Sequence, residues 1–82
     1  MSASIFYQPV KGKYLSIGAP QSFLDLLERI GFSRDGCYIT DRSAYMLEVA
    51  ANTTENTEFR AALKELAEAA TKHGEIRLWP EY

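Results

Sequence analysis

Apolar residues recur at steps of three and four between residues 56 and 73, which is the spacing of one face of an α-helix. They are Phe59, Ala62, Leu63, Leu66, Ala69 and Ala70. The polar residues on the opposite side are Glu58, Arg60, Lys64, Glu65, Glu68 and Lys72. Gly74 follows, and glycine commonly ends a helix. The pattern predicts one long amphipathic helix whose apolar face must be covered by the rest of the chain.

Two shorter helices are predicted before it. The first covers residues 20–30, with Pro20 in the first turn, where its missing N–H costs nothing, and Gly31 after its end. Its apolar stripe is Phe23, Leu26, Leu27 and Ile30. The second covers residues 41–51 with Thr40 as its N-cap. Its inner side is Ala44, Leu47, Ala50 and Ala51.

Residues 5–8 and 14–17 are rich in aromatic and β-branched side chains, and a turn-forming segment separates them, so they predict a β-hairpin. Gly12 is suited to close a three-residue turn with a β-bulge, which places Tyr7 opposite Leu15. The inward face of the hairpin is then Ile5, Tyr7, Leu15 and Ile17. The outward face is Phe6, Gln8, Tyr14 and Ser16.

Residues 75–79 alternate strictly and predict a C-terminal strand that Pro80 ends. Its outward residues are Arg77 and Trp79. This strand is expected to pair with the hairpin, since two strands alone are marginal in water. Residues 37–39 are either a very short strand or extended chain.

Residues 1–82 are expected to form one small α+β domain. Its elements follow the order β-β-α-α-α-β along the chain. We predict a three-stranded antiparallel or mixed sheet that three helices cover on one face.

The cysteine and histidine content limits the kinds of site that the chain can form. The chain has one cysteine, Cys37, and one histidine, His73, so it offers neither a disulfide nor a site that needs two histidines. We predict no metal, no cofactor and no enzymatic activity. Cys37 is interpreted as a small buried apolar residue. No membrane segment or signal peptide is apparent, and a single cysteine suits a reducing compartment, so a cytoplasmic location is expected.

The most suggestive feature is the face of the sheet that the helices leave uncovered. Phe6, Tyr14 and Trp79 share it with Arg77, and Lys11 and Lys13 lie at the hairpin tip. Exposed aromatic side chains of this kind commonly anchor a partner protein. The alternative is that they only shield one another across the strands.

Function is therefore predicted as binding of another protein or a second copy of the chain, by a regulator, inhibitor or accessory subunit. The contact surface is either the aromatic sheet face or an acidic helical face in the C-terminal half of the chain. The alternative is nucleic-acid binding, by stacking of single strands on the sheet or in a winged-helix arrangement. The net charge of −2 makes nucleic acid the less favoured partner.

Overall fold

The structure is a computed structural model that describes residues 4–8, 14–15 and 17–81, and for Tyr14 only the backbone. The strands are β1 (Ser4–Gln8), β2 (Tyr14–Leu15), β3 (Cys37–Thr40) and β4 (Glu75–Glu81). The helices are α1 (Pro20–Arg29), α2 (Ala44–Thr53) and α3 (Thr57–His73). The α+β class is confirmed, and residues 37–40 are a strand of the same sheet.

The sheet has the strand order β2-β1-β4-β3, and every pair of neighbours is antiparallel. The expected pairing of the C-terminal strand with the hairpin is confirmed, and the partner is β1. β4 is thus a central strand that joins the hairpin to β3. Alternation sends every second side chain of β1, β3 and β4 to the helices, where they share one core with the helix stripes.

The long helix begins and ends as its sequence predicts. The Asn56 side chain accepts a hydrogen bond from the Phe59 N–H at 3.1 Å, which caps the first turn. Gly74 has a φ of +83° at the other end, a conformation that glycine adopts without strain. The buried face includes Phe59, Leu63 and Leu66 as expected, and Ala67 replaces Ala69 in it.

Helix α1 begins where it was predicted to begin and ends one residue earlier, at Arg29. Pro20 is its first residue, and Gly31 follows its end with a φ of +106°. The Phe32 N–H donates to the Leu27 carbonyl at 2.9 Å, and the Gly31 N–H donates to the Glu28 carbonyl at 3.1 Å. These two bonds form a Schellman motif.

The start of α2 was predicted three residues too early. Thr40 and Ser43 exchange hydrogen bonds, from the Thr40 N–H to Ser43 Oγ at 2.9 Å and from the Ser43 N–H to Thr40 Oγ1 at 3.3 Å. Such hydroxyl-to-backbone bonds stabilise a turn in place of the first helical turn. Residues 41–43 therefore form a turn, and α2 extends to Thr53.

The predicted hairpin register was wrong by two residues. Ile5 is paired with Leu15, and Phe6 is paired with Tyr14. A shift of two residues leaves the alternation unchanged, so Ile5, Tyr7 and Leu15 are still buried. Ile17 lies beyond the strand but packs against the core. Residues 9–13, which include the expected turn, lie outside the described residues.

Pro80 does not end β4, contrary to the prediction, and is paired with Ile5. The Asp41 N–H donates to the Gly74 carbonyl at 2.9 Å. In an antiparallel sheet, the N–H and C=O groups of successive residues point alternately to the two neighbouring strands. Those of the even-numbered residues of β4 therefore point toward β3. Pairing with β3 stops at Leu78. The N–H that Pro80 lacks would therefore point to a side without a partner strand, and no ladder bond is lost.

Candidate functional site

The side chains that alternate away from the helices form what we call the outer sheet face. Those that matter below are Phe6, Gln8, Tyr38, Arg77, Trp79 and Glu81. The structure brings together Phe6 and Trp79, two of the aromatic residues that the sequence placed here. Phe6 is paired with Trp79 on one side and with the Tyr14 backbone on the other. Lys11, Lys13 and Ser16, which were also expected near this face, lie outside the described residues.

Trp79 is the centre of the outer sheet face. Its ring stacks on Phe6 with centroids 6.0 Å apart and an interplanar angle of 20°. The Arg77 guanidinium carbon lies 5.0 Å from the Trp79 ring centroid, within the range of a cation–π interaction. On the other side, the indole N–H donates to Glu81 Oε1 at 3.3 Å. The half-buried indole is therefore held in one orientation between a positive and a negative side chain.

Tyr38 is a residue of this face that the sequence reasoning missed. It pairs with Arg77 across the β3–β4 ladder, and its side chain is 63% exposed. A strand at residues 37–40 puts Cys37 and Ile39 on the core side and Tyr38 on the outer side. The same alternation is visible in the sequence, but so short a run is compatible with extended chain as well as with a strand.

The edge of the sheet at β3 offers little room for an added strand. The backbone N–H and C=O groups of Tyr38 and Thr40 point away from β4, because successive residues of a strand alternate in the side to which these groups point. The Thr40 N–H is already bonded to Ser43 Oγ, and its carbonyl accepts from the Ser43 N–H at 3.1 Å. The turn after β3 thus occupies part of this edge, as expected of a protected edge strand. A partner has more to contact on the face than on the edge.

The acidic face of α3 is partly used inside the fold. The Tyr7 hydroxyl donates to Glu65 Oε2 at 2.5 Å, and the Gly18 N–H donates to Glu58 Oε1 at 2.7 Å. Burial raises the pKa of Tyr7, and the hydrogen bond to Glu65 and its negative charge raise it further. Both carboxylates therefore connect α3 to the N-terminal part of the chain.

A second exposed surface lies on the helices. Tyr45 is 63% exposed and Val49 is 57% exposed, and their spacing of four places them on one side of α2. Next to them, an open cleft of about 310 Å³ is lined by Glu48, Asn52, Lys64 and Glu68. The lining is polar and mixed in charge.

Cys37 packs against the core from the inner side of β3 but is only half-buried, less than its interpretation as a small buried apolar residue predicts. Burial raises the pKa of the thiol from 9.0 to about 11. Since the thiolate is the reactive form, we expect alkylation at pH 8 to be about a hundredfold slower in the folded chain than in the chain unfolded in urea. The difference should shrink as the pH rises above 9, because the thiol of the unfolded chain is then largely ionised.

The rate of iodoacetamide labelling, followed by mass spectrometry across this pH range, measures the effect. Equal rates in the folded and unfolded chain at pH 8 would contradict the partial burial of Cys37.

In the part of the chain that the structure describes, no three His, Cys, Asp or Glu side chains come close enough together to hold a metal ion. No described helix is both long and apolar enough to cross a membrane. Comparison with known proteins returned no matching family model, no matching curated protein and no matching solved structure.

Proposed function

We propose that this chain is a small non-enzymatic protein-binding module and that the outer sheet face is its contact surface. The observation that carries the proposal is the arrangement around Trp79, where Phe6 and Arg77 hold the indole. Tryptophan, tyrosine and arginine are the residues most enriched at the energetic centres of protein interfaces. All three are present here, with Tyr38 beside Arg77.

The fixed orientation of the Trp79 indole favours binding for a further reason. A side chain that is already fixed loses little conformational entropy when a partner covers it. The stack on Phe6 and the bond to Glu81 fix the indole before any partner arrives. An isolated exposed tryptophan would have to be ordered on binding.

The acidic face of α3 is the weaker candidate surface. Glu58 and Glu65 accept hydrogen bonds from Gly18 and Tyr7, and a partner would have to compete with those contacts. The cleft beside it is lined by Glu48, Asn52, Lys64 and Glu68, none of which is aromatic. These observations support the sheet face over the helical face.

Nucleic acid is also less well supported as the partner. On the described strands, Arg77 is flanked along β4 by Glu75 and Glu81, whereas phosphate binding calls for a surplus of cations. A winged-helix domain places a hairpin after its third helix. Here the strand after α3 is β4, which lies inside the sheet between β1 and β3.

Site-specific photo-crosslinking tests the proposal with a matched pair of positions. Tyr38 and Tyr45 are the same residue type with the same exposure of 63%, one on the outer sheet face and one on α2. Either is replaced by the photoreactive analogue benzoylphenylalanine, and the full chain is irradiated in cells of its native host. We expect a discrete protein adduct from position 38 and none from position 45.

Three outcomes count against the proposal. Adducts from position 45 alone would assign binding to the helical side. An adduct from position 38 that nuclease removes would identify nucleic acid as the partner. No adduct from position 38 beyond the background at position 45 would leave the outer sheet face without a binding role.

A further inference from the structure

We infer that the partner of the outer sheet face is a second copy of this chain, packed face to face about a two-fold axis that passes beside Trp79. The inference rests on the proposed function, since it names the occupant of the same surface. It is based on the order of charged and aromatic side chains along β4 and on their alignment with β1.

Four outward residues follow one another along β4, namely Glu75, Arg77, Trp79 and Glu81. Consider two such sheets packed face to face, with a two-fold axis midway between them. The axis passes Trp79 and runs perpendicular to β4, so β4 of the second copy runs in the opposite direction. Trp79 then faces Trp79 of the second copy. Arg77, two residues before it, faces Glu81 of the second copy, two residues after it, and symmetry makes this contact twice.

β1 matches the same axis. Phe6 is paired with Trp79, so it lies level with the axis and faces its own copy. Gln8 is paired with Arg77 and Ser4 with Glu81, so Gln8 of one chain faces Ser4 of the other. The interface would therefore have aromatic rings along its middle and polar or oppositely charged contacts on either side, as protein interfaces commonly do.

Other simple alignments are less favourable. An axis at Arg77 places the two Arg77 side chains opposite each other. An axis along β4 makes every residue of β4 face its own copy, which opposes Arg77 to Arg77 and Glu81 to Glu81. An axis midway between Arg77 and Trp79 brings Glu75 opposite Glu81. Of these alignments, the axis at Trp79 alone opposes unlike charges, and like charges at an interface disfavour the wrong register.

The size of the face sets the expected strength. The face is roughly 20 Å wide, from four strands about 4.8 Å apart, and about 24 Å long at β4, and it is shorter at β2 and β3. This is at the small end for protein interfaces, so we expect dissociation constants of roughly 1–100 µM. Sedimentation velocity at micromolar to millimolar concentration covers that range.

Two charge-reversal variants test the register. Arg77→Glu places glutamate opposite Glu81, and Glu81→Arg places arginine opposite Arg77, so each variant alone should dimerise at least about a hundredfold more weakly than the natural chain. Mixed in equal amounts, the two variants regain both opposite-charge contacts and should form a mixed dimer of near-natural affinity. Native mass spectrometry identifies that species.

Recovery on mixing also shows that both variants are folded, since misfolded chains would not restore each other's affinity. Trp79 is the only tryptophan, so a blue shift of its emission should accompany dimerisation in the natural chain and in the mixture. A natural chain that stays monomeric at about 1 mM, well above this range, would overturn the inference. So would a dimer that persists in both variants or one that mixing does not restore.

These failures are distinguishable from failure of the proposed function. A monomeric chain that gives an adduct with a different protein from position 38 refutes the second copy as partner and retains the outer sheet face as the binding surface. A monomeric chain without any adduct at that position refutes both.

Discussion

Replacing Phe23 with alanine is expected to lower the free energy of unfolding by about 3–5 kcal/mol. Phe23 is fully buried in α1, and its ring meets that of Phe59 edge to face, with centroids 5.3 Å apart and an interplanar angle of 70°. The substitution removes this ring contact between α1 and α3 and leaves a cavity that rigid neighbours fill only in part. A domain of this size is stable by only about 5–15 kcal/mol. Urea unfolding followed by Trp79 fluorescence measures the loss.

Leu26→Ala provides the control within the same helix. Leu26 is only partly buried, so its truncation should cost clearly less than that of Phe23. Equal losses for the two variants would mean that α1 does not pack through Phe23. A double variant with Phe59→Ala should lose less than the sum of the two single losses, because the rings contact each other.

The helices could be predicted well because their signals are local. Asn56 caps α3 by a hydrogen bond from the N–H three residues on, and Gly74 ends it with a positive φ that glycine adopts without strain. The sequence did not identify the start of α2, because Thr40 was interpreted as a helix cap. Its hydroxyl does bond to a backbone N–H three residues on, but Ser43 bonds back to it and closes a turn instead.

The sheet was predicted less completely because its pairing depends on residues far apart. The alternation of apolar and polar residues predicted the correct inward residues of β1 and β4. A shift of two residues leaves that alternation unchanged, so the pattern could not distinguish the two registers, and the predicted hairpin register was wrong. The partner that makes residues 37–40 a strand is β4, more than thirty residues away. Without that pairing, Tyr38 could not be placed on the outer sheet face.

The two acidic residues of α3 show a similar limit. A helical pattern assigns Glu58 and Glu65 to the polar side, which is correct. It does not show that Gly18 and Tyr7 supply their hydrogen bonds, since these donors lie 40 and 58 residues away in the sequence. A polar helical face can thus hold tertiary contacts as well as water.

Trp79→Ala should have the largest effect on binding. We expect it to weaken the contact made by the outer sheet face by at least about 2 kcal/mol, or roughly thirtyfold, because it removes the central aromatic anchor. It also removes the stack on Phe6, so stability should fall by about 1–2 kcal/mol. Self-association and the adduct yield at position 38 measure binding, and circular dichroism checks that the variant is folded.

Two further variants separate binding from folding. Trp79→Phe keeps a ring next to Phe6 and should retain most of the stability. It offers Arg77 a smaller ring for the cation–π interaction and removes the hydrogen bond to Glu81. Tyr45→Ala removes an equally exposed aromatic side chain from α2 and should leave binding unchanged. A folded Trp79→Ala chain that binds as tightly as the natural one would show that these rings only shield each other. The packing of these rings would then stabilise only the sheet, because cross-strand aromatic pairs stabilise a sheet without any partner.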